Sequence, residues 1–325
     1  MTILVTGSSG HLGEALMRTL REAGCGPIGL DIKPSPFTDA LGSISDRGTV
    51  RRCMAGADTV LHTATLHKPH VATHANQDFV DTNITGTLLL LEEAVRAGVR
   101  RFVFTSTTSV FGAALRAGTP AAWVTEDIPP APRNIYGATK LAGEGLCELF
   151  FRMHALPVIV LRTARFFPEE DDDAEVRQRY EIANAQANEL LYRRADIADV
   201  VGAHLMAIEK AETAGFGRYI VSATTPFAPD DVAALHRDAP AIVHRLFPQC
   251  ARLYAARGWT LLPQIDRVYS NRRARDELGW APRYDFAHVL ECLEAGCDFR
   301  SPLARAVGSK GYHDVTFAEG PYPVR

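Results

Sequence analysis

Residues 2–13 read TILVTGSSGHLG, an apolar run that leads into glycines at positions 7, 10 and 13. The apolar run predicts a buried strand at 2–6, and the spacing of apolar residues after it predicts a helix over 11–23. Glycines between a strand and a helix permit a tight turn and let a pyrophosphate approach the backbone at the positive end of the helix dipole. The stretch therefore predicts a dinucleotide-binding loop built around Gly7, Gly10 and Gly13.

Asp31 follows the next apolar run, GPIGL at 26–30. A carboxylate at the end of the second strand accepts hydrogen bonds from the adenosine ribose hydroxyls and repels a 2′-phosphate, so Asp31 predicts NAD rather than NADP as the cofactor. Lys33 lies close by and favours NADP. A glycine turn followed by an unrelated surface aspartate is the alternative interpretation.

Further apolar runs alternate with helical patterns along the first half of the chain. Strands are predicted at 58–62, 101–105 and 157–161, and helices at 76–97 and 134–154. Strands that are apolar almost throughout are typical of a parallel sheet covered by helices on both faces. The predicted fold class is therefore α/β, a Rossmann doubly wound parallel sheet, which binds ligands beyond the carboxyl ends of its strands.

The alternation weakens after residue 162, where an acidic run, Glu169-Glu-Asp-Asp-Asp173, opens a polar helical stretch. A helix near 197–212 and a strand at 218–222 return to the sheet. We therefore expect two units. The NAD-binding Rossmann domain takes residues 1–162 with the returning segment at about 196–223, and a smaller substrate-binding α/β lobe takes residues 163–195 and 224–325.

Composition restricts the possible partners. The 325 residues carry a formal net charge of −3, which gives no basic footprint for nucleic acid or an anionic membrane, and no apolar run is long enough to span a bilayer. The first strand begins at once, so no signal peptide is expected. Six cysteines without a CxxC pair predict reduced thiols and a cytoplasmic protein, with no zinc site.

Tyr136 and Lys140 lie four residues apart on one face of a predicted helix. An unperturbed tyrosine is a poor base at neutral pH, and we expect a nearby ammonium and a cationic nicotinamide ring to favour the phenolate. Upstream, the strand at 101–105 runs into five consecutive hydroxyl residues, 105–109, one of which can hydrogen-bond a reacting oxygen. The alternatives are a half-buried aromatic with a solvated lysine, and hydroxyls that only cap a turn.

Taken with these motifs, the chain over about residues 1–285 resembles the extended short-chain dehydrogenases/reductases, and within them the NAD-dependent sugar epimerase/dehydratase group. The resemblance rests on TGSSGHLG, Asp31, HTA at 62–64, NITG at 83–86, TSTTSVFG at 105–112, YGATK at 136–140 and ELGWAP at 277–282. It implies that Thr107 is the catalytic hydroxyl, that Tyr136 is the base, and that Lys140 orients the nicotinamide ribose.

The resemblance also implies the other contacts of the site. Cofactor contacts are expected from Ser9, Gly10, His11, Leu12, Asp31, Ile44, Thr63, Ala64, Thr65, Asn83 and Thr105. Asn83 has an alternative role, bonding backbone at a helix start. A homodimer packed through the helices at 76–97 and 134–154 is implied as well.

The chain departs from the family where a sugar nucleotide would be held. Arg165 stands where an Asn is usual, and Thr108 and Ser109 replace the Asp-Glu pair that dehydratases place after the catalytic hydroxyl, which disfavours dehydration. We hypothesise a free or modified sugar, sugar acid or sugar phosphate, with Arg165 recognising its anionic or hydroxyl-rich end. An ion pair of Arg165 with the acidic run is the alternative. The expected substrate contacts are His67, Thr107, Thr108 and Arg165.

His62, His67, His70 and His74 match no standard metal spacing, so no metal is expected, and His67 with Lys68 is predicted to line the mouth of the site. The predicted function is NAD-dependent epimerisation of a small-molecule carbohydrate through a transient keto intermediate. A sugar or sugar-acid dehydrogenase is the alternative, and a non-catalytic NAD-binding regulator is disfavoured by the intact Thr107, Tyr136 and Lys140. The tail from Ser301, with GYH at 311–313 and GPYP at 320–323, is expected either to line the substrate pocket or to wrap the lobe.

Overall fold

The computed structural model describes residues 2–114, 121–313, 315 and 317, so the GPYP motif at 320–323 lies outside the described residues. Its strands are Ile3–Thr6 (β1), Ile28–Asp31 (β2), Ala40–Leu41 (β3), Thr59–His62 (β4), Arg101–Thr107 (β5), Ala122–Val124 (β6), Val158–Thr163 (β7), Phe216–Val221 (β8) and Arg267–Tyr269 (β9). Within these residues, seven strands form one parallel sheet in the order β3-β2-β1-β4-β5-β7-β8, and β6 pairs with β9. The predicted strands are confirmed to within two residues at either end; β3, β6 and β9 were not predicted.

Helices cover both faces of the sheet. They are His11–Glu22 (α1), Arg47–Met54 (α2), Asn76–Phe79 (α3), Gly86–Ala97 (α4), Ile135–His154 (α5), Ala174–Arg179 (α6), Ile182–Glu189 (α7), Ile197–Ala214 (α8), Val232–Leu246 (α9), Cys250–Ala255 (α10), Arg272–Leu278 (α11), Phe286–Ala295 (α12) and Pro302–Val307 (α13). Among the described residues, no helix has the length and apolarity to cross a membrane.

Strand β1 shows why the sheet needs both layers. Ile3 and Val5 are buried in a core shared with α1 and α8, whereas Leu4 is buried in a second core with α2, α4 and α5. Successive side chains of a strand point to opposite faces, so a strand that is apolar throughout must be covered on both sides. This explains the near-continuous apolar runs of the sequence and confirms the predicted doubly wound sheet.

The strand order reverses between β1 and β4, whose carboxyl ends lie side by side with Thr6 opposite His62. In doubly wound sheets the crevice at such a reversal is where ligands bind. The glycine loop leaves β1 here, and the loop at 63–70 leaves β4 beside it. Both loops carrying predicted cofactor residues therefore meet at one edge of the sheet.

The predicted helix at 76–97 is interrupted. A π-helical segment, Val80–Thr85, separates α3 from α4 and carries Asn83. Such segments occur often at functional sites. Gly86, the next residue, packs closely on Ile44. A Cβ at position 86 would lie 2.7 Å from the Ile44 side chain, so the position has little room for a larger residue. The helical period of the sequence does not reveal this irregular turn.

A further core lies outside the sheet. It is formed by α7, α9, α10 and α12 around buried residues such as Leu235, Leu253 and Val289. Helix α11 instead packs back on α8, and the Trp280 indole N–H after it donates to the Asp199 carbonyl at 3.0 Å. The late part of the chain therefore contributes both to this core and to one layer of the sheet.

Candidate active site

The glycine loop between β1 and α1 leaves no room for side chains at two of its positions. Gly7 has φ +72°, and a Cβ on it would lie 2.7 Å from the Ala64 amide nitrogen. A Cβ on Gly13 would lie 1.9 Å from the Gly7 carbonyl oxygen. These glycines let the loop fold tightly against the β4 loop and let α1 start directly behind it.

Gly10 has a different role from its neighbours. It is the N-cap of α1, and a Cβ on it would approach nothing closer than the Gly7 carbonyl oxygen at 3.3 Å. No side chain among the described residues caps this helix start. The first-turn N–H groups, at His11 and Leu12, therefore stand at the positive end of the helix dipole without a side-chain acceptor, which fits the pyrophosphate of a dinucleotide.

Asp31 lies at the carboxyl end of β2, beside the same loop. Its carboxylate accepts from the Ser9 amide at 2.9 Å and from the Lys33 amide at 2.9 Å, so it is held in place by backbone. Ile32 and Leu41 next to it are 67% and 64% exposed. Exposed apolar side chains beside a fixed carboxylate suit an adenosine, whose ribose is polar and whose base is flat and apolar.

Asn83 joins the β4 loop to helix α5. Its side-chain oxygen accepts from the Thr65 hydroxyl at 3.0 Å and the Leu66 amide at 2.9 Å, and its nitrogen donates to the Leu66 carbonyl and the Thr139 hydroxyl at 2.9 and 3.0 Å. It is 2% exposed. Asn83 therefore bonds backbone in the loop that carries Thr65 and Leu66 and ties this loop to α5, rather than bonding backbone at a helix start.

Thr63 and Ala64 are fixed to β1 in a similar way. The Thr63 hydroxyl donates to the Thr6 carbonyl at 2.7 Å, and the Ala64 amide donates to the Thr6 hydroxyl at 3.3 Å. His62, one residue earlier, is buried between the hydroxyls of Thr6 and Thr87 at 2.8 and 2.9 Å. Burial, together with the charge of Lys140, holds the pKa of His62 well below its usual range, so this histidine is a neutral structural residue.

The three predicted catalytic residues are brought together at the end of β5. Thr107 is the last residue of the strand; its hydroxyl accepts from the Ser109 amide at 3.1 Å, and hydrogen bonding by this side chain lowers the pKa of Tyr136. Tyr136 lies in the first turn of α5, and Lys140 lies one turn further, 2% exposed, with its Nζ 4.3 Å from the centre of the Phe104 ring. A hydroxyl, a phenol and an ammonium therefore share one small region of the site.

Gly137 allows the two elements to approach this closely. A Cβ on Gly137 would lie 2.8 Å from the Pro132 side chain and 3.0 Å from the Ser109 carbonyl oxygen. The Gly137 amide is itself capped by the Asn134 side chain at 3.0 Å. A larger residue would push the start of α5 away from the turn that follows Thr107, so the close approach of Tyr136 to β5 requires a glycine at position 137.

The chain's own electrostatics differ from the expectation for Tyr136. Burial raises the pKa of Tyr136 to about 12, and the hydrogen bond with Thr107 opposes this only in part. Burial also lowers the pKa of Lys140 to about 7, with Glu144 acting in the other direction. In the protein without its cofactor, desolvation is therefore the largest influence on the pKa of Tyr136.

The hydroxyls of residues 105–109 have different partners. The Thr105 hydroxyl is bonded to His204 Nε2 at 2.8 Å, and the Ser106 hydroxyl donates to Glu144 Oε1 at 2.5 Å. Thr108 begins a 3₁₀ helix that runs to residue 114. Thr107 is the member that lowers the pKa of Tyr136, and Thr105, an expected cofactor contact, is bonded to His204 of α8.

Glu144 is a site residue that the sequence reasoning missed. It is fully buried and accepts from Arg162 Nη2 at 2.8 Å and Nε at 3.1 Å, and Arg218 Nε lies 3.3 Å away. It ties α5, one turn beyond Lys140, to the ends of β5 and β7. In the sequence, Glu144 is marked only by its spacing of four residues from Lys140. That spacing is equally typical of an exposed ion pair on a helix surface, so it does not predict a buried carboxylate that binds several partners.

His67, an expected substrate residue, faces Tyr136. Its ring lies 6.5 Å from the Tyr136 ring and 5.4 Å from the Phe167 ring, measured between centroids. Lys68 next to it pairs with Asp172. Of the two residues predicted to line the mouth of the site, His67 lies against Tyr136 and Lys68 reaches the acidic run.

Arg165 makes the ion pair that the sequence offered as an alternative. Its Nη1 lies 2.6 Å from Asp171 Oδ2, and its Nη2 donates to the Glu170 carbonyl at 2.8 Å. Arg193 pairs with the same Asp171 at 3.1 Å and with Glu189 at 2.6 Å. The acidic run Glu169–Asp173, called the acidic loop below, therefore neutralises the arginines that stand near the site.

His67, His70 and His74 lie together with His313 from the C-terminal tail, with ring centroids of neighbours 4.8 to 5.3 Å apart. Within residues 2–114, 121–313, 315 and 317, no group of three or more His, Cys, Asp or Glu side chains is arranged to hold a metal ion. The histidine cluster instead packs edge to face around the mouth of the site.

A doubly wound parallel sheet, a glycine loop at its reversal point and a Thr–Tyr–Lys arrangement at the neighbouring strand end together define an NAD-dependent oxidoreductase of the short-chain dehydrogenase/reductase type. The model of the NAD dependent epimerase/dehydratase family matches residues 3–221, and the chain belongs to that family. It is therefore an NAD-dependent enzyme. The predictions of family, fold class and cofactor are confirmed.

Curated relatives share limited identity with the chain. A dTDP-glucose 4,6-dehydratase of Streptomyces antibioticus is 27% identical over 323 residues, covering 89% of this chain and 90% of that protein. An uncharacterized protein of Sinorhizobium fredii is 35% identical over 167 residues, but the match spans 50% of this chain and 40% of the relative. With several other curated relatives, too, the chain matches only about half of the relative's length.

Solved structures share the fold over nearly the whole chain. A short-chain dehydrogenase/reductase superfamily protein of Agrobacterium tumefaciens with bound NAD is 25% identical, with a TM-score of 0.66 over 94% of this chain and 99% of that one. The UDP-glucuronic acid 4-epimerase of Bacillus cereus, in complex with UDP-glucuronic acid and NAD, is 19% identical, with a TM-score of 0.60 over 90% and 97%.

Proposed function

We propose that the chain is an NAD-dependent epimerase that acts on a sugar or sugar derivative through a transient keto intermediate. The observation that carries the proposal is the placement of Thr107 at the carboxyl end of β5 with Tyr136 and Lys140 one turn apart at the start of α5, where Lys140 packs on Phe104 of the same strand. This arrangement suits the removal of a proton from a secondary hydroxyl. NAD, when bound, would supply reversible hydride transfer at the carbon that bears this hydroxyl.

Each residue of the arrangement has a distinct part in moving the proton. The Tyr136 oxygen takes the proton of the sugar hydroxyl, and the Thr107 hydroxyl donates a hydrogen bond to the same sugar oxygen. Lys140, buried beside them, supplies positive charge that favours the phenolate while it is protonated. Tyr136 returns the proton when the carbonyl is reduced on its other face.

The residues proposed to hold the cofactor follow from the way the glycine loop and the start of α1 would accommodate a dinucleotide. The first-turn amides of α1 bind the pyrophosphate, and Asp31 binds the adenosine ribose. Ile44 is buried against Gly86 at the start of α4. The residues proposed to contact the cofactor are Gly7, Ser9, Gly10, His11, Leu12, Gly13, Asp31, Ile44, Thr63, Ala64, Thr65, Tyr136 and Lys140. Asn83 and Thr105 are proposed to hold these contact residues in position.

We propose that the sugar binds against His67, Thr107 and Thr108, between the sheet and the lobe built on α7, α9, α10 and α12. Relatives of the chain are named for dTDP- or UDP-linked sugars. In this chain Arg165 and Arg193 are paired with Asp171, and the buried Glu189 pairs with Arg193 and Arg194. Arginines neutralised in this way have less attraction for a diphosphate, which favours a sugar without a nucleotide. In this proposal Arg165 contacts the substrate only if its ion pair with Asp171 is replaced by a bond to the sugar.

A homodimer is proposed through α4 and α5, as the family resemblance implies. Leu149 and Met153, one turn apart on α5, are 38% and 65% exposed. Apolar side chains exposed together on one helix face are typical of a partner surface. All six cysteines are unpaired thiols, which supports the proposal that the protein works in the reducing cytoplasm.

The proposal is tested by running the reaction in D₂O with a panel of sugars, sugar acids, sugar phosphates and nucleotide sugars. Because the hydride returns to the carbon it left, the inverted centre is expected to carry protium when the product is examined by NMR. Deuterium at that carbon would instead show inversion by deprotonation and would contradict the proposal. Tyr136→Phe is the matched control, and it is expected to form no isomer.

A further inference from the structure

The C-terminal segment after α13 lies on the cofactor side of the molecule. We call residues Gly308–His313 the strap. The Ser309 hydroxyl and the Lys310 amide donate to Glu169 Oε1 at 2.8 and 3.1 Å, and the Tyr312 hydroxyl donates to Glu169 Oε2 at 3.0 Å. One carboxylate of the acidic loop therefore holds three successive points of the strap.

The same carboxylate is bonded to the start of α1. His11 Nε2 lies 2.7 Å from Glu169 Oε1, and the two side chains are 5% and 7% exposed. Burial alone would raise the pKa of the Glu169 carboxyl, but hydrogen bonds from His11 and Ser309 outweigh it and lower the pKa to about 2. Lys310 Nζ adds an ion pair with Glu14 in the first turn of α1. The strap is thus fastened to the helix whose N-terminus faces the pyrophosphate.

The other end of the strap lies at the catalytic end of the cleft. The Tyr312 ring is 5.0 Å from the His67 ring, which in turn faces Tyr136 at 6.5 Å. His313 Nε2 is bonded to the Pro69 carbonyl at 3.0 Å in the loop that follows β4. The strap therefore extends from the first turn of α1, next to the glycine loop, to His67, which faces Tyr136.

We propose that the strap closes the NAD cleft and keeps the cofactor bound between turnovers. The inference rests on the proposed function, because an epimerase has to return hydride to the sugar from the cofactor that received it. Release of a dinucleotide lying along α1 and β4 requires the strap to leave Glu169 and the β4 loop together. Several charge-assisted hydrogen bonds must break at once, so release is slow.

The test measures the release of NAD from loaded full-length protein in the absence of any sugar. Released NAD is trapped by excess alcohol dehydrogenase and ethanol, and the NADH formed is followed at 340 nm. Three variants loosen the strap to different degrees: deletion from Gly308 to the C-terminus, Glu169→Ala and Tyr312→Phe. Glu294→Gln is the control, because Glu294 makes an exposed ion pair with Arg252 away from the cleft.

We expect release at least about tenfold faster for the deletion and for Glu169→Ala, and a smaller acceleration for Tyr312→Phe, in the order of hydrogen bonds removed. Glu294→Gln is expected to release NAD at the parent rate. A deletion protein with parent-like circular dichroism that releases NAD at the parent rate would overturn the proposal. If the larger changes prevent folding, Tyr312→Phe decides, since it removes one hydroxyl and keeps the ring.

The two proposals fail separately. If the parent releases NAD slowly and the variants release it fast, but no isomer forms, the strap proposal stands and epimerisation is refuted. Isomer formation with strap variants that release NAD no faster than the parent would refute the strap alone.

Discussion

Replacement of Glu144 by alanine tests the buried hub that holds the catalytic helix against the sheet. The change leaves the Arg162 guanidinium, 2% exposed, without the carboxylate that it contacts at 2.8 Å, and it leaves the Ser106 hydroxyl unpaired. Arg162 Nη1 already has no partner within the described structure, so little compensation is available. Breaking a buried pair from one side costs about 3–5 kcal/mol of unfolding free energy.

The matched control is Glu148→Ala, one turn further along α5. Glu148 pairs with Arg218 at 2.6 Å, but its side chain is 37% exposed, and an ion pair of this kind contributes about 0–1 kcal/mol. Urea unfolding followed by circular dichroism measures both variants. Equal losses of stability, or a loss below about 1 kcal/mol for Glu144→Ala, would refute the buried-hub reasoning. The double variant Glu144→Leu/Arg162→Met is expected to recover most of the loss, because no uncompensated charge remains.

Three further predictions concern the site itself. Tyr136→Phe is expected to lower turnover by about 10²- to 10⁴-fold with little change in the Kd for NAD, measured by isomer formation and by calorimetry; a variant of parent activity would exclude Tyr136 as the base. Gly13→Ala is expected to abolish NAD binding, because its Cβ would lie 1.9 Å from a loop carbonyl oxygen, whereas Gly145→Ala, with open space around the Cβ, is expected to bind normally; equal Kd values would contradict the close packing of the loop. Burial lowers the pKa of Lys140 to about 7, so the ammonium is lost as pH rises through 7 and NAD affinity is expected to fall from pH 6 to pH 9; calorimetry on Lys140→Met should show a flat profile, and an equally steep one would rule out Lys140 as the titrating group.

The sheet and the cofactor loop could be predicted because their signals are local. A strand buried on both faces has to be apolar throughout, as Ile3, Leu4 and Val5 show, and the glycine loop requires small residues at fixed spacing. The spacing of Tyr136 and Lys140 likewise places them on one helix face. These features depend on residues close together in the chain.

The remaining features depend on contacts between distant residues. Glu144 meets Arg162 only when β7 lies beside β5, and Glu169 meets Tyr312 across 143 residues of chain. The pKa of Tyr136 is set by burial, which a motif does not report. The pairing of Arg165 with Asp171, six residues on, was foreseen as an alternative, but only the folded loop decides between it and a free guanidinium.

The most direct test of the central claim is to mix purified protein, excess NAD and the sugar panel, and to follow NADH absorbance and product NMR in the same samples. The account predicts a flat absorbance trace, with a sugar isomer formed by the parent chain and none by Tyr136→Phe. Steady accumulation of NADH with an oxidised sugar would contradict it and would identify the chain as a dehydrogenase.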